Sequence, residues 1–341
     1  MVSAPTPITI LTGFLGSGKT TLVNRLIDAR GSRRLAVIEN EYGEVGVDAE
    51  LLTHLPEQTI IQIADGCVCC TVRGDLANAL NELVRRREAG EIEFDHVILE
   101  TTGLADPGPI VRTFLAKTAV LDHFYLNGVL ALVDARCGLG AIAGRPEASA
   151  QIAYANRALV TKTDLADEGG IAALSAELTR INPLLEIEAV DLRHAEAGVL
   201  APYFFDMNGY LFDYVKPATA APAHDHDHDH GEAGHLSDVV SLAWQAEGEL
   251  DAARVEMVLE ALRTRYPDAL WRIKGILAVA GARRKLIVQG VQGLVEVNPS
   301  TLWRPHERKK NTLVLIGYKL DRDAILNALE ACVIPARAAA R

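Results

Sequence analysis

The segment Gly13-Phe-Leu-Gly-Ser-Gly-Lys19-Thr20 constrains what this chain can fold into more than any other stretch. Gly13-x4-Gly18-Lys19-Thr20 follows the apolar, β-branched run Ile8–Thr12 and opens the helix-patterned stretch Thr20–Arg30. Gly13, Gly16 and Gly18 allow a tight turn in which successive N–H groups point into one concavity. The helix N-terminus adds its positive dipole end, which suits a polyphosphate. Lys19 is then expected to reach the β and γ phosphates and the Thr20 hydroxyl to ligate magnesium. Ser17 and Thr21 are expected beside them in the nucleotide contact.

The rest of the first two-thirds agrees with this reading. Strand-like runs near Leu35–Ile38, His96–Leu99, Gly128–Val133 and Ala158–Thr161 alternate with helix patterns near Gly74–Arg87, Pro109–Ala116 and Gly170–Ile181. Nearly continuous apolar strands separated by helices predict a mainly parallel, doubly wound α/β sheet covered on both faces, the P-loop NTPase architecture. Composition changes at Lys216. Residues 217–236 are Ala/Pro-rich and then His/Asp-rich, and read as a flexible linker between a domain at 1–216 and a smaller α+β domain at 237–335. In that second domain we expect a strand at Val239–Trp244, a helix at Asp251–Tyr266 and strands at Leu270–Ala280, Lys285–Val291 and Thr312–Tyr318. A last helix is expected at Asp323–Cys332, with the sheet partly antiparallel.

Two further strand ends carry chemistry. Glu100-Thr-Thr-Gly103 stands where many nucleotide hydrolases have Asp-x-x-Gly. Glu100 can hold a metal-bound water and the Gly103 N–H can face the γ-phosphate. Thr161-Lys-Thr-Asp164 ends a later strand. A carboxylate at Asp164 accepts from guanine's N1–H and exocyclic amine, adenine offers neither donor on that edge, and the Lys162 stem packs on the base plane. The expected ligand is therefore GTP. Leu104 follows Gly103, so no glutamine orients the attacking water, and intrinsic hydrolysis is expected on the order of 10⁻⁴ to 10⁻² s⁻¹.

Five cysteines, three of them within Cys67-Val-Cys69-Cys70, point to metal or redox chemistry instead of a disulfide framework. In an extended segment Cys67 and Cys69 face one way and Cys70 the other, but a turn after Gly66 brings three thiolates together for zinc, cuprous copper or cobalt. A fourth ligand is then needed, and the acidic segment Glu39–Asp48 is the best source. Cys137 and Cys332 stand alone and are read as packing residues. The run His224-Asp-His-Asp-His-Asp-His230, with His235, can hold metal loosely and exchange it readily.

Thirty-four basic against 45 acidic residues leave a net charge of −11, which repels nucleic acid. No apolar run reaches the roughly 18 residues needed to span a bilayer, and the start lacks a basic n-region, so a cytoplasmic protein is expected with no membrane partner.

Taken together, Gly13–Thr20, Glu39–Asp48, Cys67–Cys70, Glu100–Gly103 and Thr161–Asp164 resemble the CobW family of P-loop GTPases, most of all its YjiA-like members. Leu270-Trp-Arg-Ile-Lys-Gly275 and Trp303 resemble that family's second domain. The resemblance implies slow GTP hydrolysis and a metallochaperone role, with zinc or cobalt held by Cys67, Cys69 and Cys70. Glu39 and Glu44 are then the candidate carboxylate contributors, and a client metalloprotein receives the metal. Two departures stand out: Asp65 precedes Gly66 where Asn is common, and Thr161 replaces the usual Asn of the base reader. The alternative to nucleotide-controlled delivery is a metal-storing or metal-sensing module whose nucleotide only stabilises the fold.

Overall fold

The computed structural model describes residues 4–39, 59–62, 72–116, 122–210 and 238–335. The chain divides into two compact units, Met1–Glu177 with Leu185–Leu211, and Leu178–Leu184 with Phe212–Arg341.

In the first unit, β1 (Thr6–Gly13), β2 (Leu35–Glu39), β3 (Thr59–Gln62), β4 (His96–Glu100), β5 (Phe124–Asp134), β6 (Arg157–Thr161) and β7 (Glu186–Ala189) form one sheet. Its order is β3-β2-β4-β1-β5-β6-β7, and every ladder is parallel. Parallel neighbours need crossovers, which α1 (Lys19–Ala29), α2 (Val72–Glu88), α3 (Gly108–Leu115), α4 (Gly138–Gly144), α5 (Pro146–Tyr154) and α6 (Glu168–Ile181) supply. A further helix, α7 (Ala197–Phe205), follows β7. Leu22 and Leu26 of α1 and Phe204 of α7 meet Leu11, Leu130 and Leu159 in one buried cluster. Each such side chain contributes about 1.5–3 kcal/mol when fully buried. This explains why β1 reads as a nearly continuous apolar run: it is covered on both faces.

A small polar layer crosses the middle of this sheet. Asn127 Nδ2 donates to Thr9 Oγ1 (3.0 Å) and to the Phe205 carbonyl (3.1 Å), and Thr9 Oγ1 lies 2.8 Å from His96 Nε2. A hydroxyl carries one proton and two acceptor sites, so Thr9 accepts from Asn127 and still bonds the His96 ring nitrogen. The ring packs edge-on against Phe205, with centroids 4.9 Å apart. Burial, assisted by the positive charge of Arg33, brings the His96 pKa down to about 3.

The second unit is built from β8 (Val239–Glu247), α8 (Ala252–Arg265), β9 (Leu270–Leu277), β10 (Arg284–Val291), β11 (Leu294–Leu302), β12 (Lys310–Tyr318) and α9 (Arg322–Glu330). Its strands run β11-β10-β9-β12-β8, and all four ladders are antiparallel, where the sequence pattern predicts only a partly antiparallel sheet. The reason is local: β9, β10 and β11 follow one another through short turns, which join only antiparallel neighbours. Both helices have carboxylate N-caps, Asp251 accepting from the Arg254 N–H (3.0 Å) and Asp321 from the Ala324 N–H (3.1 Å). Cys332 is buried here, as its packing role predicts; Cys137 is exposed, because it sits at the N-terminal end of α4 outside the core.

No helix among the described residues is long and apolar enough to cross a membrane.

Candidate functional site

Because the seven strands are parallel, their C-terminal ends share one rim. The phosphate loop, the Glu100–Gly103 segment, Asp134, Thr161–Asp164 and the turn after β7 all leave from it. The loop between β1 and α1 has left-handed φ values at Gly13 (145°), Gly16 (73°) and Gly18 (100°). A Cβ on Gly13 would lie 2.4 Å from the Leu132 carbonyl oxygen and 2.7 Å from Ser17 Oγ, so no other residue fits. Lys19 and Thr20 open the first turn of α1, and Lys19 Nζ donates to the Gly13 carbonyl (2.9 Å). Ser17 Oγ is buried with no hydrogen-bond partner among the described residues. A cradle of glycines at a helix N-terminus, with a lysine and a buried orphan hydroxyl, fits a polyphosphate.

Beside it, β4 extends the ladder with β1 by one bond, Thr101 N–H to the Leu11 carbonyl (2.9 Å), and Thr101 Oγ1 donates to Thr12 Oγ1 (2.9 Å). Glu100 is buried at the strand end. Gly103 lies against the phosphate loop so tightly that a Cβ there would meet Leu15 N at 2.7 Å and Leu15 Cα at 2.8 Å. Gln151, buried on α5, holds this segment from behind: its Nε2 donates to the carbonyls of Gly103 and Ala105, each at 3.1 Å. Leu104 between them is exposed.

On the other flank, Thr161 Oγ1 donates to the Ser17 carbonyl (2.8 Å) and ties the end of β6 to the phosphate loop. The Thr that replaces the usual Asn therefore has a structural task, reached with a shorter side chain. Lys162 adopts a left-handed conformation (φ 54°) and pairs with Asp134 at 2.7 Å. Burial opposes the charge on Asp134, but Lys162 and the N–H groups of Arg136 and Cys137 outweigh it and hold the carboxyl below the ordinary range. Asp164 lies in the short 3-10 turn Thr163–Leu165. From the turn after β7, Leu192 packs beneath Gly18 and Arg193 reaches Asp164, Nη2 to Oδ2 at 2.7 Å.

The profile of the CobW/HypB/UreG nucleotide-binding domain matches residues 7–188, and that of the cobalamin synthesis protein cobW C-terminal domain matches residues 239–333. The chain belongs to the CobW/HypB/UreG family. It is 35% identical over 321 residues to the zinc chaperone YjiA of Escherichia coli strain K12, covering 94% of this chain and 96% of that protein. It is 32% identical over 357 residues to the zinc chaperone CobW of Pseudomonas aeruginosa, covering 96% and 91% respectively. The fold also matches a crystal structure of Zn(II)-bound YjiA GTPase from E. coli, with TM-score 0.77 and 29% identity over 97% of this chain and all of that one.

Within this CobW-family chain, the sequence-predicted Gly13, Gly16, Ser17, Gly18, Lys19, Thr20 and Thr21 thus form one loop and helix start. Glu100 and Gly103 flank it on one side, and Thr161, Lys162 and Asp164 on the other. Sequence reasoning did not single out Asp134, Gln151 or Arg193. Asp134 had a readable signal, an acidic residue ending an apolar strand; its register with Thr161 is set by the sheet. Of the predicted metal ligands, Cys67, Cys69, Cys70 and Glu44 lie outside the described residues, as does the histidine run. Glu39 is described by its backbone, whose Cα is in register with Glu100 across β2 and β4. Among the described residues no group of three or more His, Cys, Asp or Glu is arranged to hold a metal.

Proposed function

We propose that this chain is a metallochaperone that binds and slowly hydrolyses GTP, and delivers zinc (or cobalt) to a client protein under nucleotide control. The observation that supports it best is the one-rim arrangement. The phosphate loop stands between Gly103, packed on Leu15, and Thr161, bonded to Ser17, so phosphate and base elements are mechanically joined through one loop. The names of the relatives, zinc chaperones and a zinc-bound GTPase, point the same way.

In this reading Lys19 and the loop N–H groups bind the β and γ phosphates, Asp164 reads guanine's donor edge, and the Lys162 stem, held by Asp134, covers the base. Thr20 would hold magnesium and Glu100 a water on it, and the ion supplies charge neutralisation at the phosphates when bound. The Gly103 N–H faces the γ-phosphate, on a segment that Gln151 holds by the Gly103 and Ala105 carbonyls. Leu104 offers no group to orient water, which makes hydrolysis slow. Cys67, Cys69 and Cys70, with Glu39 and Glu44 as carboxylate contributors, hold the cargo ion, because thiolates bind zinc and cobalt well. We read a nucleotide domain at 1–216 and a second domain at 237–335, with the His-rich stretch 217–236 as the linker.

Linkage supplies the test. If nucleotide controls delivery, zinc affinity must differ between the GTP-analogue, GDP and nucleotide-free forms by roughly fivefold or more, and zinc must shift GTP affinity by the same factor. Zinc affinity is read by competition with a chromogenic chelator, with Cys69→Ala as the control. Equal affinities in all three forms would refute nucleotide control and leave the storage or sensing alternative.

A further inference from the structure

We infer that Arg193 is a specificity-determining residue that occupies the place of guanine's donor edge on Asp164, so that base binding is an exchange of one guanidine group for another. This rests on the proposed guanine site at Asp164 and adds a competitor inside it.

The geometry of the turn after β7 carries the inference. Asp191 grips Arg193 three ways: Oδ1 accepts from the backbone N–H (3.0 Å) and from Nε (3.1 Å), and Oδ2 accepts from Nη2 (3.1 Å). Asp191 Oδ2 also lies 2.8 Å from His194 Nδ1, and Arg25 donates to the Arg193 carbonyl, so the turn is braced from both sides. The guanidinium is therefore aimed, and its Nη2 meets Asp164 Oδ2 at 2.7 Å. The next residue inward, Leu192, is packed against Gly18, which sets the turn beside the phosphate loop.

Chemistry explains why an arginine suits that role. Guanine's N1, C2 and exocyclic N2 are themselves a guanidine fragment, a planar carbon bearing two parallel N–H donors. Asp164 recognises both groups by the same charge-assisted or bidentate pattern. Adenine has no such fragment and cannot take the carboxylate from Arg193. The exchange also leaves no buried charge orphaned. Asp164 passes from one partner to the other, and Arg193 keeps Asp191.

The pair is solvent-accessible, with side-chain exposures of 60% for Arg193 and 30% for Asp164, so the competition is modest and salt-sensitive. The test is titration of the full-length chain with a fluorescent GDP derivative, comparing wild type, Arg193→Gln and Asp164→Asn at low and high salt. Arg193→Gln should tighten GDP binding roughly two- to fivefold at low salt, the range of an exposed ion pair, and the gap should close as salt rises. Unchanged or weaker binding by Arg193→Gln overturns the exchange, because a merely structural arginine would not compete. Asp164→Asn tests the underlying site separately. It should lose GDP affinity and favour the xanthine nucleotide, whose 2-oxo group accepts from the new amide. If Asp164→Asn keeps full GDP affinity, the guanine site itself is wrong, whatever Arg193 does.

Discussion

His96 makes the first unit acid-sensitive, and the size of the effect follows from its surroundings. Its native pKa is near 3 against an ordinary value of 6.5, because burial disfavours the charged ring and the Arg33 charge adds to that. Above pH 6.5 the ring is neutral in both folded and unfolded chains and contributes no pH dependence. Below 6.5 the unfolded chain takes up a proton that the native ring refuses, so stability falls until the pH nears 3. At about 1.4 kcal/mol per pH unit, moving from pH 7 to pH 5 removes ~2 kcal/mol through this residue alone. The native ring cannot easily accommodate the proton, because it is buried against Phe204 and Phe205 with the Arg33 charge nearby. His96→Gln retains a polar side chain near Thr9 without a titrating group. Urea unfolding followed by a probe in the first unit, at pH 7, 6 and 5, should show the wild type losing ~2 kcal/mol more than the variant across that range. Parallel stability curves for the two proteins would show that His96 titrates normally and that the burial argument is wrong.

Two other perturbations bear on the phosphate side. Gly103→Ala places a Cβ 2.6–2.8 Å from three Leu15 atoms, so the phosphate loop or the Gly103 turn must shift. Overpacking of about 1–3 kcal/mol predicts roughly tenfold weaker GTP-analogue binding by calorimetry, and wild-type affinity would disprove the contact. Gln151→Leu preserves volume but removes both donors to Gly103 and Ala105. It should lower stability by about 2 kcal/mol and reduce the ratio of GTP to GDP affinity, whereas an unchanged ratio would limit Gln151 to packing.

The elements that were legible in the sequence are those whose side chains repeat a local pattern. β1, β2, β4, α1, α2 and α3 appear within a residue or two of the bounds that periodicity predicts, whereas β3 was not among the expected strands. β7 was not legible: Glu-Ile-Glu-Ala is half polar because it is an edge strand, and nothing local distinguishes that from a turn. β11 contains Asn298 and Pro299, residues that argue against a central strand but are tolerated at the edge of the second sheet. The candidate site divides the same way. Gly13–Thr20 and Thr161–Asp164 are contiguous and carry their geometry in their spacing. Gln151 meets Gly103 from 48 positions away, and Arg193 meets Asp164 from a separate turn, so their roles exist only once the sheet brings them together.

The strand order has a consequence for how such a molecule would behave through a nucleotide cycle. β1 sits between β4, with β2 and β3 beyond it, and β5, with β6 and β7 beyond it. GTP and GDP differ only in the terminal phosphate, which in the proposed site concerns the β4 flank; the base, identical in both, concerns the β6 flank. One half of the sheet would then act as a mooring and the other as a rudder. Damage to the mooring should weaken both nucleotides alike, and damage to the rudder should leave GDP held while the two states become harder to tell apart. Mutations can thus be sorted by which side of β1 they fall on, before any metal is added.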